Sequence, residues 1–209
     1  NLESVDFVGH SNGTYILGSA LQKYRSLQFR RVYFAGSVVP KHYPWRPLLD
    51  EGRLGQVANV AASGDWVVAL FPRLFEQVAE WQGLRPVTGL LDVGSAGFRG
   101  FEDLDRRVNN FQFARGGHSV AIAPGDDGRQ QAVAAAIARY VVNGDSAPLA
   151  MFREDKLPSG KLAFFSNICW LVWLGLAALL GVGAWLTFRW RRLVGTAYLL
   201  VVAGLLYSV

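Results

Sequence analysis

One cysteine, Cys169, excludes an internal disulfide, and its place in an apolar run reads it as a small buried hydrophobe. Nothing in the chain resembles a metal site, a phosphate-cradling glycine loop or a dinucleotide fingerprint, so no metal and no cofactor is expected. A gathered basic stripe is also missing. The net charge of +5 comes from 21 Lys and Arg against 16 Asp and Glu, and these are scattered, which argues against a nucleic-acid partner. The chain opens on Asn1 with no charged-then-apolar leader, and is expected to be cut from a longer protein.

Charge nearly vanishes from Lys161 until the cluster Arg189, Arg191 and Arg192, whereas the first 160 residues mix charges, glycines and short apolar runs. The composition predicts residues 1–145 as a globular domain and 146–162, with Pro148, Pro158 and Gly160, as a linker. Residues 163–209 follow as a hydrophobic hairpin. Phe164 to Phe188 is an uncharged stretch of about 25 residues, where about 20 cross a hydrocarbon core. Leu193 to Val209 is a second, of about 17, and an Arg-Trp-Arg-Arg turn joins them. A pair of buried core helices is the alternative. Trp170, Trp173, Trp185 and Trp190 at the ends favour two transmembrane helices and contact with membrane lipid. Topology stays open, because Arg153, Lys156 and Lys161 balance the arginines of the turn.

Within the globular part, Ser4 to Val8 reads as a strand, Thr14 to Tyr24 as a helix and Arg30 to Gly36 as a buried strand. A proline- and aromatic-rich excursion, Val39 to Pro47, leads to a short helix at Leu48 to Leu54. Val57 to Ala62 is the next strand and Val67 to Trp81 the next helix, with Pro72 limiting or kinking its first turns. Gly83 to Phe101 reads as an irregular insertion with a short strand at Val87 to Leu91. Val108 to Ala114 is the last strand and Gln130 to Val142 a closing helix. Strands alternating with helices predict an α/β domain with a parallel sheet.

Gly9-His10-Ser11-Asn12-Gly13 places a serine between a strand and an amphipathic helix, where a sharp turn lifts its hydroxyl above the carboxyl edge of the sheet. A serine hydroxyl needs an imidazole to take its proton and a carboxylate to fix the imidazole tautomer. His10 adjoins the serine and is expected to point elsewhere in the turn; His42 lies in the excursion. His118, in a Gly-Gly-His turn after the last strand, can reach the same edge and is favoured over the alternative of an exposed loop histidine. For the acid, Asp65 ends a strand after Gly64, and Asp92, after Leu90-Leu91, is the rival; Asp103 and Asp105 read as solvated loop carboxylates.

The order serine, aspartate, histidine on Gly9-His10-Ser11-Asn12-Gly13, Gly64-Asp65 and Gly117-His118 resembles the α/β-hydrolase superfamily, in an esterase- or lipase-like branch, over about the first 145 residues. The resemblance implies Ser11 as nucleophile, His118 as general base, Asp65 as orienting acid and the Asn12 N–H as one oxyanion donor. The strands that precede the elbow in that family, and the loop with the second donor, are not in this sequence, so activity is expected of the longer parent. Tyr43 and Trp45 fall where such folds insert a cap and are either an acyl or alcohol pocket or a packed loop. The reading is a membrane-anchored hydrolase of small ester or lipid-like substrates through an acyl-serine. The alternatives are a catalytically inactive binding or signalling module at a membrane, or a chain whose hairpin is itself the functional part. Oligomeric state is not legible.

Overall fold

In a computed structural model, residues 5–81, 93–103, 105–190 and 200–203 are described. Two compact units divide the chain, residues 1–167 and 168–209. The first holds a four-stranded parallel sheet with spatial order β1-β2-β3-β4: β1 Val5–His10, β2 Phe29–Ala35, β3 Leu54–Ala62 and β4 Val108–Ala114. Helices α1 (Asn12–Lys23), α2 (Trp45–Asp50), α3 (Trp66–Trp81), α4 (Ala96–Arg99) and α5 (Asp127–Asn143) flank it.

The central strands are apolar on both sides, as a sheet covered by helices on each face requires. Val32 and Phe34 of β2, with Leu54 and Val57 of β3, pack against Leu17 and Leu21 of α1 and Trp45 of α2. The alternate residues Tyr33, Ala35, Ala58 and Val60 meet Val133, Ala136 and Tyr140 of α5 on the other face. Each large side chain so removed from water stabilises the fold by about 1.5–3 kcal/mol.

Local chemistry fixes the helix ends. Arg53 reaches under α1 and donates to the Leu21 and Tyr24 carbonyls at 2.7 and 2.8 Å, where the helix leaves its last acceptors unpaired. Asp126 caps α5 by accepting from the Gly128 and Arg129 N–H groups, and Gly144 closes it in the left-handed conformation at φ 76°. Helix α3 runs through Pro72, which is buried.

Several expectations change. The segment read as a linker is part of the first unit: Ala147–Phe152 is a 3-10 turn, and Leu149 and Phe152 are fully buried against the α5 face of the sheet. Proline and glycine suggested looseness there, but two apolar side chains decide the outcome. The chain then follows β4, with Glu154 and Asp155 N–H donating to Phe113 O and the Ser159 N–H to Ser63 O.

The uncharged run expected to cross as one helix is divided at Ile168 into α6 (Gly160–Asn167) and α7 (Cys169–Trp190). The break follows from polarity. The Asn167 carbonyl accepts from Gln77 of α3 at 2.8 Å and its side-chain oxygen accepts from Arg99, which ties α6 to the first unit.

In the second unit, Cys169–Arg189 is 21 residues long with a mean hydropathy of 2.0, and apart from the buried Cys169 its residues are exposed or half-buried. That helix is long and apolar enough to span a membrane. The Thr187 hydroxyl is satisfied within it, by the Gly183 and Ala184 carbonyls. The expected second span, Leu193 to Val209, lies outside the described residues apart from 200–203, which are helical. The suggested strand at Val87 to Leu91 lies outside them too; the described remainder of that insertion carries α4.

Candidate active site

The parallel sheet brings four carboxyl ends to one rim. His10 pairs with Ala35, Ala35 with Val60 and Ala62 with Ala114, so the turns that follow the strands emerge side by side. Those turns carry Ser11, Gly36, Asp65 and His118.

Ser11 sits between β1 and α1 at φ 51°, ψ −124°, the only non-glycine with positive φ among the described residues. Such a conformation costs on the order of 1–3 kcal/mol and persists only where its surroundings over-determine it. Here the Ser11 N–H donates to Ala35 O at 3.1 Å, while its carbonyl accepts from the Thr14 N–H at 3.0 Å and the Thr14 hydroxyl at 2.7 Å. Thr14 Oγ1 in turn accepts from the Val38 N–H at 3.1 Å. Serine at a helix start normally spends its hydroxyl on the first-turn N–H groups. This one makes no such bond. Its hydroxyl is left uncommitted beside the positive end of α1.

The glycines of the pentapeptide are not equivalent. A Cβ at Gly9 would come within 2.6 Å of the Phe7 ring, whereas one at Gly13 would meet nothing within 4 Å. Asn12 opens α1, where a first-turn N–H has no intrahelical acceptor.

Asp65 and His118 are brought together. The His118 Nδ1–H donates to Asp65 Oδ2 at 2.9 Å, and the Asp65 side chain is fully buried. Asp65 Oδ1 accepts from the Val68 N–H at 3.0 Å, so the carboxylate also caps α3. Two rungs hold the turns in register: the Ser63 N–H donates to Ala114 O and the Gly64 N–H to Gly116 O, both at 2.9 Å. The rival acid, Asp92, lies outside the described residues.

With Nδ1 engaged, the other ring nitrogen of His118, Nε2, is buried and among the described residues has no hydrogen-bond partner. Among the described residues no hydrogen bond joins it to Ser11. The ring rests against the Ala35–Gly36 turn that also receives the Ser11 N–H. Gly36 has φ 53°, and a Cβ there would lie 2.8 Å from His118 Nδ1 and Cε1.

Three expectations are corrected. His10 does not point away: its ring centroid is 4.8 Å from that of His118 and its Nε2 lies 3.3 Å from the His118 carbonyl oxygen. Burial, followed by the nearby His118, holds the His10 imidazole below its ordinary value. Tyr43 and Trp45 are core rather than pocket wall. Trp45 packs with Phe34, Phe101 and Tyr43, and the Tyr43 hydroxyl donates to Gly18 O at 2.8 Å. Asp105 is held well below the usual carboxylate range by the Arg107 guanidinium, and so is an ion-pair partner. His42 lies away from the rim, 2.9 Å from Glu102.

Sequence reading missed the buried carboxylate Glu76 of α3. It accepts from the Arg73 guanidinium at 2.8 Å, the Lys41 N–H at 2.9 Å and the Ser95 hydroxyl at 2.5 Å. It thereby ties the loop after β2 to the start of α4. Helical spacing alone could have paired Arg73 with Glu76, but nothing local indicates that the pair is buried. Among the described residues no group of three or more His, Cys, Asp or Glu could hold a metal ion. Compared with protein-family models, curated proteins and solved structures, the chain finds no match.

Proposed function

We propose that the chain is a membrane-anchored serine hydrolase of the α/β-hydrolase type, acting on carboxylic esters or related acyl substrates. One observation carries the reading: a serine in a strained turn, its hydroxyl uncommitted, shares a rim with a histidine whose Nδ1 is held by a buried aspartate. Ser11 Oγ attacks the acyl carbonyl as His118 Nε2 takes its proton. The alcohol leaves with that proton, and water, deprotonated by His118, releases the acid from acyl-Ser11. The Asn12 N–H and the α1 dipole stabilise the oxyanion. Helix α7 anchors the domain at a lipid surface, which favours small ester or lipid-like substrates.

The test is covalent labelling of the intact protein in detergent with a fluorophosphonate. Wild type reacts and Ser11→Ala does not; an unreactive wild type, or labelling that survives the substitution, overturns the proposal. A second reading, an inactive module at a membrane, draws on the lack of a hydrogen bond between Ser11 and His118 among the described residues. It expects no labelling and no turnover on short- and long-chain esters.

A further inference from the structure

We infer that His10 is a positioning residue for the His118 base, its Nε2–H donated to the His118 carbonyl fixing the backbone from which the imidazole reaches Asp65. The inference rests on the hydrolase reading for its kinetic consequence, and on geometry for the rest.

A carbonyl oxygen only accepts, so the 3.3 Å contact requires the proton on His10 Nε2. His118 needs such a hold, because two glycines precede it in its turn, Gly116 at φ 150° and Gly117, and they leave the backbone several alternatives. The Gly116 and Gly117 carbonyls are held by the Gly64 and Val120 N–H groups, and three contacts bear on His118 itself: Asp65 at Nδ1, Gly36 beside the ring, and His10 at the carbonyl. Of these only His10 is covalently joined to Ser11. The residue before the nucleophile therefore ties the base's main chain to the nucleophile's turn, and the two keep their spacing as either loop moves. The titratable groups that bear on His10 are His118, from the turn after β4, and Asp65, from the turn after β3. A neutral His10 supplies the hydrogen bond without setting a second positive charge beside the imidazolium that His118 becomes during catalysis.

The experiment compares His10→Phe, which keeps a ring and loses the donor, with His10→Gln, which keeps an N–H donor. Two signals are read in detergent micelles: the rate constant for fluorophosphonate labelling of Ser11, and the low-field proton resonance of His118 Nδ1–H, assigned by its loss in Asp65→Asn. His10→Phe is expected to slow labelling by about 10- to 100-fold and to shift or broaden the resonance, with His10→Gln restoring both. Wild-type behaviour of His10→Phe in both signals overturns the inference, and so does a defect that His10→Gln fails to repair. Should the wild type not label at all, the hydrolase reading falls; the resonance then decides the positioning role alone, and an unmoved signal in His10→Phe ends it.

Discussion

Asp65 and His118 are joined through a carboxylate with two duties: one oxygen takes the imidazole Nδ1–H at 2.9 Å and the other the Val68 N–H at 3.0 Å. Orienting the His118 imidazole and starting α3 are one structural event.

The two duties separate by substitution. Asp65→Asn keeps an acceptor for Val68, so stability holds, but its amide no longer fixes the imidazole tautomer and labelling of Ser11 falls by about 10⁴-fold. Asp65→Ala loses the labelling and about 1 kcal/mol of stability as well. Thermal denaturation beside labelling kinetics checks both, and undiminished labelling of Asp65→Asn removes Asp65 from the mechanism.

Strain at Ser11 gives a prediction of opposite sign for function and stability. Ser11→Gly relieves the positive φ and raises stability by about 1 kcal/mol, whereas Ser11→Ala retains the strain and leaves stability nearly unchanged. Both variants fail to label. Equal melting temperatures for the glycine and alanine variants would show that the turn stores no such energy.

Glu76 is 1% exposed beside an Arg73 that is 6% exposed, and Arg73 also pairs with Glu80 at 3.0 Å, so removing Arg73 strands a buried carboxylate whereas removing Glu76 leaves the guanidinium a partner. Arg73→Ala, which leaves the Glu76 carboxylate without its cation, is expected to cost about 3–5 kcal/mol, and Glu76→Ala less. The double variant Arg73→Met, Glu76→Leu should cost much less than the sum of the single changes, since it removes both desolvation penalties. Denaturant titration of all three measures this coupling.

His10 sets a pH dependence. Its folded-state value lies below the ordinary imidazole value of 6.5, so the unfolded chain binds more protons as acid is added. Stability is unaffected by this group well above 6.5 and is lost as pH falls through the folded-state value. Melting temperature followed downward from neutral pH should decline more steeply in wild type than in His10→Gln. Asp6 acts lower: the hydrogen bond from Arg30 depresses its carboxyl, so its contribution is lost only as pH falls below the usual carboxylate value of 3.8.

The sheet was legible because each strand is a short apolar run closed by a turn, and Val108 to Ala114 was read with the bounds it has. Asp65 and His118 were legible because residues just past parallel strands share an edge whatever the rest of the chain does. What escaped depends on three-dimensional neighbours. Tyr43 and Trp45 read equally as pocket or core, and only the rings of Phe34 and Phe101 decide. Leu149 and Phe152 lie in the short run Leu149-Ala150-Met151-Phe152, too brief for periodicity to register, yet both are fully buried. The contact of His10 with His118 joins turns 108 residues apart in sequence, which local pattern does not encode. Ser166 and Asn167, in an otherwise apolar run, were the visible sign that the run would be interrupted.

Gly36 carries a consequence for ancestry. The imidazole of His118 lies where any other residue would put its first carbon, so one amino acid alone suits both the backbone angle and the space at that position. A side chain added at position 36 would press on the histidine, whereas one added at Gly13 would meet nothing within 4 Å. On the hydrolase proposal, a relative that retains Ser11, Asp65 and His118 but has lost this glycine is expected to have given up the reaction.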